Sequence, residues 1–355
     1  MVHNINQIKL PFEIQNQIYQ FLYDLKDKIN VYNLSKHHQN NIQITDLYNI
    51  PKKYLQKLTQ VIIEQQKFQN VEKLNASNNK KIENVNHLQR TLKILDCSFY
   101  CGIDQNGISE LKLVELNGYI NVKIKNVNHM KYTLKILNCG WNCGIDQKGI
   151  LQLRLVELNA SNNKKINDVN HMKHTLKVLC CGKNCGIDQK GILELELVEL
   201  NGCDNVKINN VNHMKHKLKI LNCSLDCGID QKGISELDLV ELNGYNNLKI
   251  NNVNHMKHKL KILDCSFDCG IDQKGISELS LVELHADNNN KIKNVNYMKE
   301  TLKILGCTGL SGIDQEGISQ LNLIQLIVSN NKKIINVNHM KGTLKILDST
   351  SYLWN

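Results

Sequence analysis

One period dominates this chain. The string Leu-Lys-Ile-Leu, or a close variant, begins at Leu92, Leu134, Leu176, Leu218, Leu260, Leu302 and Leu344, each step being 42 residues without an insertion. Inside each period a second leucine-led segment begins, at Leu113, Leu155, Leu197, Leu239, Leu281 and Leu323, and one more such segment starts at Val71. The unit is therefore 21 residues long and comes in two alternating flavours. A fixed period in this range marks a repeat architecture. Length alone, at 355 residues, would have suggested two or three globular domains of roughly 100–200 residues each.

The first flavour reads LKILDCSFYCGIDQNGISELK from Leu92, and the second reads LVELNGYINVKIKNVNHMKYT from Leu113. Both place Leu at positions 1 and 4, a small residue at position 6 and Ile at position 12. The alternation in steps of two breaks after position 6, so each unit starts as a short strand and cannot continue as one. Asp104 and its equivalents, inside Gly-Ile-Asp-Gln-x-Gly-Ile, suit the cap of a helical turn. Asn126 or Asn128 takes the matching place in the second flavour. A strand, a turn and a short helical return make one coil of a solenoid, and no coil can bury its own apolar face without stacked neighbours.

These units resemble leucine-rich repeats. Position 9 of the second flavour is Asn in all seven copies: Asn79, Asn121, Asn163, Asn205, Asn247, Asn289 and Asn331. In that family an Asn or Cys at this place faces inward and bonds to the backbone of adjacent coils; independently, a tight turn buries amide groups that must be satisfied. The first flavour is similar to the cysteine-containing subclass, whose Ile-Thr-Asp-x-Gly-Leu run is echoed by Ile103, Asp104, Gly107 and Ile108, although its cysteines stand at positions 6 and 10 instead of 9. The resemblance spans residues 71 to about 350. It implies an α/β solenoid, an arc with parallel strands on its concave face and short helical or 3-10 returns. Thirteen complete coils spaced like strands give a ladder roughly 60 Å long, with Tyr352, Leu353 and Trp354 placed to cover its last coil.

Residues 1–70 have another texture. From Leu10 the chain reads LPFEIQNQIYQFLYDLKDKINVYNLSKHHQN, and Ile14, Ile18, Phe21, Leu22 and Leu25 share one face of an amphipathic helix started by Pro11. A second helix holds Ile29, Tyr32 and Leu34; Pro51 opens a third, with Tyr54, Leu55, Leu58, Val61 and Ile62 on a face suited to plug the solenoid's open end. The segment resembles an F-box. Leu10, Pro11, Glu13, Ile14, Ile18, Leu22, Asp27, Ser35 and Lys36 fit that pattern, while His37 and His38 stand where a Trp is common. The resemblance implies that Leu10, Pro11, Glu13, Ile14, Ile18 and Leu22 dock a Skp-type adaptor of a cullin ubiquitin ligase. A helical cap for the repeats is the other reading, and the two are compatible. The expected division is an F-box-like helical domain at 1–50, a capping helix or linker at 51–70, and the solenoid at 71–355.

The chemistry-bearing residues are mostly repeated, which argues against a unique site. Eleven of the 13 cysteines fall at positions 6 and 10 of the first flavour, and equivalent ones are two coils apart. That is roughly 10 Å, too far to share an ion or a disulfide, so small buried thiols are the expected role. Cys180 and Cys203 lie off this lattice; diagonal neighbours roughly 7–8 Å apart, they are candidates for a reactive pair. Histidine recurs at position 17 of the second flavour, with Tyr297 once, which favours a structural role over a ligand. Lysine forms columns at position 2 of the first flavour and positions 11 and 19 of the second, in a chain whose net charge is +10. They are mixed with acids and lack aromatic interleaving, so a solvated face is expected rather than a nucleic-acid site. No cofactor, metal site or catalytic motif is expected, and the chain does not read as an enzyme. No apolar run approaches the roughly 20 residues of a membrane span, and the first residues show no signal-peptide pattern. The expected location is the cytoplasm (of the host for a viral protein), with the nucleus left open. The Asn-, Lys- and Ile-heavy vocabulary suits an AT-rich genome, such as a large DNA virus or a protist.

A partner surface is expected on the concave sheet, where positions 3, 5, 7 and 8 project. Position 3 alternates Ile and Glu, as in Ile94, Glu115, Ile136 and Glu157, a lattice that supports the sheet laterally. Positions 7 and 8 break the repetition. A surface for a unique partner must itself be non-repeating, and aromatics are favoured anchors. Phe99, Tyr119, Trp141, Tyr245 and Phe267 are therefore the candidate contact residues, with space-filling beside the turn as the competing role. Taken with the F-box resemblance, this implies a substrate-recognition subunit; a stand-alone repeat scaffold or decoy is the alternative.

Overall fold

The computed structural model describes residues 44–349. They fall into two compact units divided in sequence between Leu153 and Arg154. In both, each coil contributes a three-residue strand at its positions 3–5. The first unit carries β2 (Lys73–Asn75), β3 (Ile94–Asp96), β4 (Glu115–Asn117) and β5 (Ile136–Asn138); the second runs from β6 (Glu157–Asn159) to β15 (Ile346–Asp348). Within each unit, strands adjacent in sequence pair in parallel, with Leu116 opposite Leu137 and Leu242 opposite Leu263. The strands are short because the chain must turn inward at position 6 to bury Cys or a small residue against its neighbours. In most coils position 4 is buried in the interior, while positions 3 and 5 are half-buried on the outer sheet face; Lys73 and Ile346 are exposed at position 3, and Asp96 and Gly306 buried at position 5. The return runs through a 3-10 turn, Asn128–Met130 in the second flavour and Lys232–Ile234 in the first.

The sheet begins one strand before the repeat does. β1 (Asp46–Leu47) pairs with β2, Leu47 facing Leu74, and Ile44 and Leu47 are buried. The return from it is not the single helix expected after Pro51. It breaks into α1 (Lys52–Leu55), α2 (Gln60–Ile63) and a 3-10 turn at Gln66–Phe68. The break follows from Thr59, whose hydroxyl accepts from the Ile62 amide at 3.3 Å and starts a new helix. Leu55, Leu58, Ile63 and Phe68 are buried, whereas Val61 is 73% exposed and faces solvent. The F-box-like positions from Leu10 to Lys36, and the C-terminal Tyr352, Leu353 and Trp354, lie outside the described residues.

Coils are joined by amide ladders as well as by the sheet. Asn247 donates through Nδ2 to the carbonyls of Cys223 at 2.7 Å and Ile229 at 3.2 Å, both in the preceding coil, and its Oδ1 accepts from Lys249 N at 2.9 Å. Asn121, Asn205, Asn289 and Asn331 repeat this pattern. Asn79 reaches instead to the Leu55 and Leu58 carbonyls. Asn163 is buried at the same position, with its Oδ1 accepting from Lys165 N.

Two further ladders run along the return. Gln231 bridges to the next coil, its Oε1 accepting from Asn251 N and Asn252 N and its Nε2 donating to the Asn252 carbonyl. Asn254 Nδ2 donates to the Lys274 carbonyl at 2.7 Å, and its Oδ1 accepts from Glu278 N. Coils lie so close there that a Cβ on Gly233 would sit 2.1 Å from the Asn209 carbonyl oxygen. Asp230 closes that turn by accepting from Gly233 N at 2.9 Å.

Asn247→Leu leaves two buried carbonyls and one amide without partners. At about 1 kcal/mol or more for each unsatisfied group, the expected loss is roughly 3 kcal/mol, read as a lower midpoint in thermal unfolding followed by circular dichroism.

Candidate functional site

Most of the repeated polar columns are committed to structure. In the described residues, the position-17 histidines point Nε2 at a carbonyl of the preceding coil: His129 to Ile108 at 3.0 Å, His213 to Ile192 at 3.1 Å and His255 to Ile234 at 3.1 Å. An acceptor carbonyl places the proton on Nε2. Tyr297 fills the same slot by donating its hydroxyl to the Ile276 carbonyl at 2.8 Å, so the slot requires a donor and no ligand.

The position-11 lysines are not the freely solvated face expected of them. Lys207, Lys249 and Lys291 donate Nζ to the Cys185, Cys227 and Cys269 carbonyls at 2.8–2.9 Å. At position 19, Lys215 and Lys257 pair with Glu236 and Glu278 at 2.6 Å. The latter pairs are exposed, worth about 1 kcal/mol at most.

The lattice cysteines are buried thiols. Burial pushes Cys97, Cys181, Cys223 and Cys265 well above the ordinary thiol range, and Cys101, Cys227 and Cys269 up to about 11. Cys180 and Cys203 are half-exposed. Burial, with Glu199 and Glu157 beside it, also pushes Cys180 up to about 11, which suppresses its thiolate. No group of three or more His, Cys, Asp or Glu among the described residues is placed to hold a metal ion.

The non-repeating residues occupy a special backbone position. In thirteen successive coils the residue at position 8 is left-handed, with φ from 54° to 64°. In eleven of these coils its N–H donates to the position-7 carbonyl of the next coil, as Phe99 does to Tyr119 at 2.7 Å and Phe267 to Asp287 at 2.6 Å. That bond carries the ladder through the turn and imposes the conformation on any side chain. Asn78, Asn162, Asn246, Asn288, Asn330 and Gly309 suit it; Phe99, Ile120, Trp141 and Phe267 do not. An ordinary L-residue there costs about 1–2 kcal/mol.

The aromatic residues at this costly position are not buried in compensation. Phe99 is 46%, Trp141 39% and Phe267 42% exposed. They form two rows, one in each unit. In the first, the Phe99 and Tyr119 ring centroids are 5.4 Å apart edge-to-face, and those of Tyr119 and Trp141 are 6.2 Å apart. In the second, Tyr245 and Phe267 are 4.7 Å apart. Position 7 projects less uniformly than expected, because Ser98, Ser224 and Ser266 are buried there.

Sequence reasoning missed two features nearby. Tyr100, 69% exposed, stands beside Phe99 with Lys80 Nζ 6.0 Å from its ring centroid. In the second unit His285 interrupts the position-5 asparagines and bonds Glu283 at 2.7 Å, and a Cβ on the adjacent Gly306 would meet its Nδ1 at 2.7 Å. Both were visible as departures from the repeat.

No protein-family model matches the sequence, and a search of curated proteins finds no match. Solved structures do match in fold. Rad7, from the crystal structure of the Rad7 and Elc1 complex in yeast, aligns over 94% of this chain and 92% of its own with a TM-score of 0.51 and 15% identity. The functional domain of InlJ from Listeria monocytogenes, which includes a cysteine ladder, aligns over 86% of this chain and 71% of its own with a TM-score of 0.47 and 19% identity. Both are leucine-rich-repeat proteins. The described part of this chain has the leucine-rich-repeat solenoid fold, a parallel sheet backed by short 3-10 returns. No helix among the described residues is long and apolar enough to cross a membrane.

Two outcomes follow from these environments. With maleimide at neutral pH the folded protein is expected to label only at Cys203 and, more slowly, Cys180, whereas denaturant exposes all 13 thiols; mass spectrometry of tryptic fragments reads the order. Burial holds His129 and His213 below the ordinary value of 6.5. The unfolded chain then binds protons more readily, so stability falls as pH drops through 6.5 toward the folded values. The double variant His129→Tyr, His213→Tyr is expected to keep the carbonyl bonds and flatten that fall in midpoint temperature.

Proposed function

We propose that the chain is a protein-interaction adaptor, the substrate-recognition subunit of a Skp-cullin-F-box ubiquitin ligase. In this reading residues 10–36 engage the Skp-type linker, and the outer sheet face of the repeats holds the target. The observation that carries the binding role is the aromatic row at left-handed turns. Phe99, Trp141 and Phe267 take a costly backbone conformation while 39–46% of their surface stays exposed, and such strain clusters where a ligand is held. The rows also break the repetition at the positions a unique partner requires. Rad7, whose fold this chain shares, was crystallised with a protein partner, Elc1, which supports a protein-binding role. The ligase link rests on the Leu-Pro-x-Glu-Ile pattern at Leu10–Ile14.

The test is co-purification of the full chain with a Skp-type linker, beside a Pro11→Ala, Ile14→Asp variant. Wild type is expected to retain the linker and the variant to lose it. If wild type does not bind, and removal of residues 1–43 unfolds the repeats, the N-terminal segment is a cap and the chain a stand-alone scaffold. The variant Phe99→Asn, Trp141→Asn suits the left-handed turns; it is expected to keep linker binding and stability while releasing the target.

A further inference from the structure

The first unit contains a cleft of about 530 Å³ that the aromatic row does not account for. Its lining is aliphatic at Ile50, ahead of α1, and Leu55 at its end, and aromatic at Phe99 and Tyr100. Asn75, Asn78 and Gln56, which carry side-chain amides, also line it. Its size falls in the range of ligand pockets, about 300–1,000 Å³, and mostly apolar walls with a few polar groups are their usual make-up.

The polar groups are not all committed to the fold. Asn79 is, since its amide holds the Leu55 and Leu58 carbonyls and Lys81 N. Asn75 uses only its Oδ1, which accepts from Ser77 N and Oγ at 3.0 and 2.7 Å, and its Nδ2 has no partner among the described residues. The side-chain amides of Asn78 and Gln56 likewise have none. Each offers both a donor and an acceptor, as a peptide group does.

Charge narrows the occupant. The chain carries 44 Lys and Arg and 34 Asp and Glu, yet none of these lines the cleft. A phosphate or carboxylate group would be desolvated there with no cation among the lining residues, and Lys80 Nζ, 6.0 Å from the Tyr100 ring centroid, opposes an ammonium group. A sugar suits the aromatic lining, but Ile50 and Leu55 offer its hydroxyls no bond. A peptide segment with one large apolar side chain matches the aliphatic and aromatic lining together, and its main chain matches the amides.

We propose that this cleft is the anchor pocket for an uncharged peptide segment of a protein partner. One aromatic or large aliphatic side chain enters between Leu55 and Phe99, and the flanking peptide groups pair with Asn75, Asn78 and Gln56. This rests on the reading that the chain binds a protein, and it adds which part of the first unit takes hold and of what. Phe99 belongs to both the cleft and the aromatic row, so the row extends the same contact.

The probes are three capped tripeptides, acetyl-Gly-Trp-Gly-amide, acetyl-Gly-Asp-Gly-amide and acetyl-Gly-Lys-Gly-amide, with N-acetylglucosamine beside them. Each is titrated into the full chain and followed by the side-chain amide signals of Asn75, Asn78 and Gln56 in nuclear magnetic resonance. The tryptophan peptide is expected to saturate these shifts and the others not. Ser77→Tyr fills the cleft at a position where Tyr119 and Tyr245 show that the coil accepts tyrosine. It is expected to weaken the tryptophan peptide by about tenfold, or 1.4 kcal/mol, while the Asn78→Gly, Gln56→Ala variant weakens it with the cleft still open. Equal binding of a charged peptide, saturation by the sugar alone, or indifference to Ser77→Tyr would overturn the proposal. Linker co-purification does not involve the cleft, so the two readings fail separately.

Discussion

The structure depends on one constraint: every coil leaves buried backbone groups that only the next coil can satisfy. Within each unit the strands contribute three residues apiece, too few to hold a sheet on their own. The pairing is carried on through the turn by position 8 and around the return by Asn and Gln side chains. Asn247 illustrates the economy, since one buried amide joins its own coil to two carbonyls of the coil before it. The same requirement explains the glycines at the return, where a Cβ on Gly233 or Gly275 would overlap a neighbouring carbonyl. Polar satisfaction, more than apolar content, sets the spacing of the coils.

This constraint sorts the residues into two populations. Those that copy faithfully along the chain, Asn, Gln, His, Cys and the position-11 Lys, are spent on holding coils together. Even half-buried cations serve the backbone, as Lys249 does for the Cys227 carbonyl. Freedom to vary is left at position 8 and, in the coils without a buried serine, at position 7. The aromatic rows, and Ser77, Asn78 and Phe99 in the cleft, lie in that second population.

The architecture was legible in the sequence as one short strand per coil ending before position 6, because period and leucine spacing reflect stacking directly; that the strand keeps only positions 3–5 was not. The Asp cap was legible for the same reason: Asp230 stands three residues before the Gly233 amide it receives. The Gln231 and Asn254 ladders were present as invariant letters, but their partners lie 20 to 24 residues away, and no local pattern names a partner at that distance. The start of the sheet at Asp46 was hidden because the coil before Val71 lacks the repeat's spelling. The helix after Pro51 was misjudged because Thr59 reads as one more polar residue until its hydroxyl is seen capping Ile62.

By itself the sequence determined the coil, its period and the residues that could differ between coils, since a repeated template must repeat its contacts. It also supplied the aromatic residues Phe99, Tyr119, Trp141, Tyr245 and Phe267 as departures from that template. Only the tertiary structure decided that Phe99, Trp141 and Phe267 sit at left-handed turns, that the five rings divide into two rows, and that Ile50 and Leu55 line one cleft with Phe99 and Tyr100. The reason is that backbone conformation at position 8 is imposed by a hydrogen bond to the next coil, and a cleft is a distance between segments. Neither is a property of the residues that bear it.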